Sequence, residues 1–449
     1  MFYQERFRPQ FHFTAQQNWL NDPNGLVYFV GEFHLCFQHN PVGREWGNMT
    51  WGHAVSPDLL HWKQGENVLL PDALGTMFSG SAVIDWENTS GLQEGENPPL
   101  VALYTAAGST SPESEGQPFT QCLAYSNDNG QNWIKYPLNP VLAHIVQENR
   151  DPKIAWHNPS RRWIMALYLD KSDFGLFVSP DLIHWQALQT LTLPGSSECP
   201  DFFEIPLEEN PEEKKWVFFV ADNTYLIGAF DGTRFHAETE PLCGEYGANC
   251  YAAQTYSDIP QADGRRIQIA WMRGGSYPDM PFNQQMTFPC RLTLRRFPEG
   301  LRLCKQPITE ITLLHESEAY TAPQVLSPTE RITSETHGEL LHIRVEVEIG
   351  SATEIGLDIR GERLIYKPSL HTLSVLGTTA SCKLPQGLLA LEILVDRTSL
   401  EVFADGGRVC ITSCFLPAQS DQEVSIFAQG GEARLNCLHV ARLRSSWQG

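Results

Sequence analysis

Three acidic residues sit in sequence contexts that could support chemistry. Asp22 lies in Trp19-Leu20-Asn21-Asp22-Pro23-Asn24-Gly25, Asp151 in Arg150-Asp151-Pro152-Lys153, and Glu198 in Ser197-Glu198-Cys199-Pro200-Asp201-Phe202-Phe203. Carboxyl groups serve as nucleophiles and as general acids or bases when held in a cleft. Asp-Pro followed by Asn-Gly predicts a tight loop that would aim the Asp22 side chain. Each of the three precedes a strand-like stretch. Taken singly, each is better explained as a turn aspartate or a surface glutamate, so their meaning depends on what brings them together.

The elements available to position them are short strands. Apolar runs are brief and rich in Val, Ile, Tyr, Phe and Trp, and they are punctuated by Gly and Pro. GLVYFVGEFHLCFQHN reads as two strands about a Gly-Glu turn, and WVFFVADNTYLIGAFDGTRF as three. Hardly any window keeps helical period over three turns, so the class is all-β. An internal repeat sharpens this reading. Ala54–Trp62, Ala124–Trp133 and Phe177–Trp185 each carry a strand end, a Ser, an Asp two residues later, and then a Trp. The Asp can cap a tight turn and the Trp can pack across the hairpin. Their spacing suits one blade of a β-propeller plus insertions.

The texture changes after Cys304. KQPITEITLLHESEAYTAPQVLSPTE is polar and dotted with Pro, and it reads as a linker. Beyond it, LLHIRVEVEI, ATEIGLDIR, LALEILVDRTSLEVFADGG, EVSIFAQGG and EARLNCLHVARL alternate apolar and polar positions, which predicts a β-sandwich. The expected organisation is a propeller over 1–305, a linker over 306–325 and a sandwich over 326–449. The 449 residues are too many for one ordinary core.

Taken together, the motifs resemble glycoside hydrolase family 32, the invertase, inulinase and levanase group. WLNDPNG, RDPK and the ECPD segment occur in the family's order. HLCFQHNP (34–41), WGNMTWGHAVSPDLLHW (46–62), FSGSAV (78–83), YAAQTYSDIP with GRRIQIAWM (251–272) and ILVDRTSLEVFADGG (393–407) are similar to its further segments, so the resemblance spans nearly the whole chain. It implies a five-bladed propeller with the site in an axial funnel, followed by a C-terminal sandwich. It further implies Asp22 as nucleophile, Glu198 as acid/base and Asp151 as transition-state stabiliser in retaining release of fructose from β-D-fructofuranosides. Two carboxyl groups about 5–5.5 Å apart suit that chemistry, and Glu198 would need a raised pKa. Asn21 and Gln38 would bind sugar hydroxyls, Trp46, Phe78 and Trp271 would wall the pocket, and Ser79 and Arg150 would add polar contacts. Trp51 is expected to be structural.

The chain departs from the family pattern at Asn249-Cys250-Tyr251, where an Asp is common before the aromatic step. It also departs at Cys36-Phe37 and in GGSYPDMPFNQQMTFPCRLTLRR (274–296). These positions flank the pocket, so they bear on substrate preference and leave the reaction type alone. An exo-acting fructan hydrolase is favoured over a strict invertase. The alternatives are a fructosyltransferase using the same site, a non-catalytic carbohydrate-binding propeller, and a hydrolase of a neighbouring arabinan-degrading family, against which the WLNDPNG wording argues.

Bulk properties narrow the partners. A net charge of −21 and a pI near 5.1 oppose binding to nucleic acid and to anionic membranes, while a neutral sugar, sucrose or fructan approaches freely. The sequence carries no H-E-x-x-H, no Cys/His cluster and no nucleotide loop, so neither metal nor cofactor is expected. The 11 cysteines lack paired spacing, and the N-terminus shows no secretory apolar region. Both point to a cytoplasmic protein, or to a secreted one trimmed of its leader. A homo-oligomer is compatible with all of this.

Overall fold

The computed structural model describes residues 2–384, 386–417 and 423–447; the expected outer limits of the two domains, residues 1 and 449, lie outside this set. Among the described residues, seven antiparallel-rich sheets make up the architecture. Five form a propeller and two form a sandwich. Among the described residues the helices are short 3-10 segments, Pro112–Ser114 and Thr309–Leu314.

Each blade is a meander whose first strand is innermost. The inner strands are Asn18–Phe29, Thr76–Ile84, Arg150–His157, Asp201–Pro206 and Cys250–Thr255. They touch their neighbours in a ring that runs from the first to the fifth and back to the first. The ring is closed by Phe282–Asn283, which pairs in parallel with Asn18 and Trp19. This closing strand lies in the 274–296 segment whose wording departs from the family pattern.

The S-x-D…W repeat forms the connection from third to fourth strand in the first three blades. Asp58 Oδ1 accepts the Leu60 and His61 amides at 3.0 and 2.9 Å, and Trp62 Nε1 donates to Leu59 O. Asp181 and Trp185 repeat this arrangement with Ile183, His184 and Leu182. Asp128 accepts the Asn132 amide, and Trp133 donates to Gly130 O. The carboxylate satisfies turn amides that no strand can reach.

The sandwich pairs a seven-stranded sheet with a six-stranded one around Leu, Ile and Val side chains. Part of the expected linker belongs to it. Within 306–325, the 3-10 segment Thr309–Leu314 is followed by the strand His315–Thr321, and Gln324–Leu326 comes next. Both strands pair with the final strand, Ala433–Leu443. The two domains meet along buried polar contacts. His12 Nδ1 lies 2.8 Å from Asp396 Oδ2 and its Nε2 2.7 Å from Glu401 Oε2. The Gln10 and Phe11 amides also donate to Asp396.

Candidate active site

All five blades send residues to one end of the channel. Asn21 and Asp22 come from the first inner strand, Phe78 and Ser79 from the second, Arg150 and Asp151 from the third, and Tyr251 from the fifth; Glu198 comes from the turn that precedes the fourth. Together with Gln38, Trp46, Cys199 and Trp271 they line a cavity of about 390 Å³. The cavity therefore gathers all ten residues singled out in the sequence.

The local backbone differs from the expected loop at Asp22. WLNDPNG is part of a 12-residue strand, broken by register shifts between Leu20 and Pro23 and between Asn24 and Val27. Bulges re-aim a side chain without ending the strand, and Gly25 takes the left-handed φ of 53° that the second bulge needs. Asp151, Glu198 and Cys199 also have positive φ, 65°, 63° and 41°. Such conformations cost about 1–3 kcal/mol each in non-glycine residues and cluster at functional sites.

The three carboxylates are linked through few atoms. Ser79 Oγ donates to Asp22 Oδ2 at 2.6 Å. The Cys199 thiol lies 3.6 Å from Asp22 Oδ2 and 3.5 Å from Asp151 Oδ2, and the Cys199 amide donates to Asp151 Oδ2 at 3.1 Å. Burial pushes this thiol well above its ordinary pKa, so it acts as a neutral donor between two acids. Arg150 Nη2 donates to Glu198 Oε1 at 2.7 Å, and the Tyr251 hydroxyl donates to Glu198 Oε2.

These contacts set the electrostatics. Burial raises the pKa of Asp22, and the Glu198 charge adds to the rise, while hydrogen bonds from Ser79 and Asn21 oppose it. Burial lifts Asp151 to about 7 against the pull of Arg150. Burial also acts to raise Glu198, but Tyr251 and Arg150 outweigh it and hold this carboxyl below the ordinary glutamate value. The expectation from sequence was the opposite direction for Glu198. Burial and negative neighbours argue for a rise, and sequence alone has no means of placing a tyrosine hydroxyl and a guanidinium on the same carboxylate.

The binding candidates divide into several roles. Gln38 is buried, and its Nε2 has no partner although it lines the cavity; an unmet buried donor of this kind suits a ligand hydroxyl. Trp46 is 55% exposed at the rim, with its ring edge-on to Phe78. Trp271 packs edge-on against Trp19 and Tyr251. Trp51 is buried and donates Nε1 to Phe78 O, so it supports the wall from behind. Tyr251 and Cys199 were not singled out by sequence reasoning. Tyr251 stands in the quoted YAAQTYSDIP segment, but its role appears only when the fifth blade closes beside the fourth. Asn249, at the position that departs from the family pattern, bonds the Cys414 amide and Arg273 O, and so anchors the Tyr251 strand to the sandwich.

Comparison with known proteins finds relatives over nearly the whole chain. The family model "Glycosyl hydrolases family 32 N-terminal domain" matches residues 12–307, and "Glycosyl hydrolases family 32 C terminal" matches 310–442. The levanase of Bacillus subtilis (strain 168) is 36% identical over 496 residues, covering 99% of this chain and 72% of that protein. An extracellular exo-inulinase of Aspergillus ficuum is 30% identical over 521 residues, covering 99% and 96%. The crystal structure of exo-inulinase from Aspergillus awamori superposes with a TM-score of 0.88 at 27% identity, covering 100% of both chains.

Proposed function

The chain belongs to glycoside hydrolase family 32, and from that premise we propose that it releases terminal fructose from fructans and sucrose through a covalent fructosyl-enzyme on Asp22. The observation that carries this reading is the meeting of Asp22, Asp151 and Glu198 in one cavity, with the Cys199 thiol between the two aspartates and Arg150 on the glutamate.

An Asp22 oxygen attacks C2 of the fructosyl unit as the C2–O bond to the leaving group breaks. Glu198 gives its proton to the departing oxygen. A water then enters, Glu198 takes its proton, and the resulting hydroxide displaces Asp22 from C2. Asp151 accepts hydrogen bonds from fructose hydroxyls that tighten as positive charge builds on the ring. Asn21 and the unmet Gln38 amide fix the sugar's orientation. Ser79, donating to Asp22 Oδ2, holds the carboxylate in place.

The proton must lie on Glu198 when the bond breaks, whereas in the substrate-free pocket burial raises both aspartates and Tyr251 and Arg150 lower Glu198. Sugar hydroxyls donating to Asp22 and Asp151 stabilise their charged forms, and this drives the proton toward Glu198. A cavity of about 390 Å³ is at the small end of ligand sites. It suits a chain end and its leaving group better than the interior of a polysaccharide, which supports exo action.

The test is Asp22→Asn assayed on sucrose, inulin and levan with product identification. Turnover should fall by about three orders of magnitude or more, the scale on which loss of a nucleophile acts, with an unchanged melting temperature. Near-normal release of fructose by this variant would remove Asp22 from the nucleophile role.

A further inference from the structure

A second cluster of ligating side chains lies outside the cavity lining, on the outer face of the seven-stranded sheet. Ile343, Val345 and Val440 point into the sandwich core, so strand alternation turns His342 and His439 outward. The edge strand His315–Thr321 adds His315, Glu318 and Tyr320 beside them. His315 Nδ1 lies 2.8 Å from Glu318 Oε1, and His439 Nε2 lies 3.1 Å from Glu318 Oε2. The ligating atoms of these three residues are all within 4.8 Å of one another.

The hydrogen bonds along this cluster constrain where its protons lie. His342 Nε2 lies 2.8 Å from Glu392 Oε1. The carboxylate can only accept, so the proton is on His342 Nε2. A neutral His342 then accepts at Nδ1, which lies 3.0 Å from His315 Nε2, so His315 carries its proton on Nε2. A neutral His315 therefore aims a bare Nδ1 lone pair at the Glu318 carboxylate. Two lone-pair donors at hydrogen-bond distance call for a cation between them, either an extra proton or a metal ion. A histidine that gives its second N–H to a relay ending on a carboxylate is the usual support of a metal-ligating imidazole.

We infer that His315 Nδ1, His439 Nε2 and Glu318 form a binding site for a divalent transition ion of the zinc class. Two imidazoles and one carboxylate suit zinc, nickel or copper, whereas calcium and magnesium require oxygen cages. Glu318 is exposed and His315 half-buried, which gives an ion entry from solvent. The Tyr320 hydroxyl donates to Glu318 at 2.7 Å, and the Tyr320 ring stacks on His439 at 4.2 Å, so both ligands are pre-positioned. An ion here would tie the first long strand of the sandwich to the last strand of the chain. Nothing in the sequence predicts it, since His315 and His439 come from opposite ends of the domain.

The experiment uses the full chain, stripped with a chelator, dialysed and titrated with zinc chloride alone in a non-coordinating buffer at neutral pH. One equivalent should bind with micromolar or tighter affinity and raise the melting temperature; calcium should do neither. Glu318→Gln and His439→Gln should each weaken zinc binding at least tenfold. Both variants should keep wild-type fructose release and the melting temperature of the stripped protein, which separates ligand loss from misfolding. If the wild-type chain shows no saturable zinc binding, the cluster holds only a proton and the inference fails. It fails equally if both variants bind zinc as the wild type does, because the ion then sits elsewhere.

Discussion

Glu198 receives hydrogen bonds from Tyr251 and Arg150, while Asp22 is raised by burial. In the proposed mechanism the competent form has Asp22 ionised and Glu198 protonated, and both shifts work against it in the free enzyme. The two groups titrate together, so the pH profile of kcat/KM reports the pair. A change in the donors to Glu198 alone moves the limb in which Glu198 dominates. Tyr251→Phe removes the hydroxyl and keeps the ring against Trp271 and under the Arg273 guanidinium. Without that donor the Glu198 pKa rises. One limb of kcat/KM should move to higher pH, and the ratio of the competent to the other singly protonated form should grow about tenfold per unit of rise. Two unmoved limbs would mean that the Tyr251 hydroxyl does not set the acidity of Glu198. The pH profile separates this effect from plain loss of positioning, which lowers the whole curve without moving its limbs.

At the level of the element, the connections carrying Asp58, Asp128 and Asp181 hold blade geometry through a carboxylate that takes backbone amides. Asp58→Ala strands the Leu60 and His61 amides and should cost about 1–2 kcal/mol, the scale of losing an Asp cap. The readout is a lower melting temperature with wild-type fructose release at room temperature, because the turn lies between outer strands and away from the cavity. An unchanged melting temperature would make the shared motif incidental to stability. These turns could be read from the sequence because Ser, Asp and Trp act within one hairpin. The carboxylates were equally legible, since Asp22, Asp151 and Glu198 each sit in a short contiguous motif. Strands lacking local contrast were harder to see. His315–Thr321, HESEAYT, is a mostly exposed edge strand with no alternating apolar face, and so it resembled a linker. Thr372–Val375 and Thr378–Ser381 are four residues each, too short for a period to register. WLNDPNG looked like a loop because bulged strands and turns use the same residues.

Across the whole molecule, the VDRTSLEVF stretch does its work at the seam between domains. Asp396 and Glu401 are buried and flank His12, whose two ring nitrogens face one carboxylate each. Burial alone would lower the His12 pKa, but the two acids outweigh it and raise it to about 9. A group raised in the folded state stabilises fully below its unfolded value, about 6.5, and loses that contribution as pH climbs through about 9. Between those values, alkali should lower the melting temperature and speed hydrogen exchange at the Gln10, Phe11 and Phe288 amides, all of which donate to this acidic pair. His12→Ala leaves two buried carboxylates without their cation, and breaking a buried pair costs about 3–5 kcal/mol. The decisive comparison is the slope of melting temperature against pH from about 6.5 to about 9.5. The wild type should fall steeply, and His12→Ala should start lower and fall less, because it has no imidazolium left to lose. Parallel slopes would show that the alkaline loss arises elsewhere. Since the sandwich also grips Asn249 through the Cys414 amide, and Asn249 directly precedes the strand that carries Tyr251, loosening this seam should reach the active site as a fall in kcat before global unfolding.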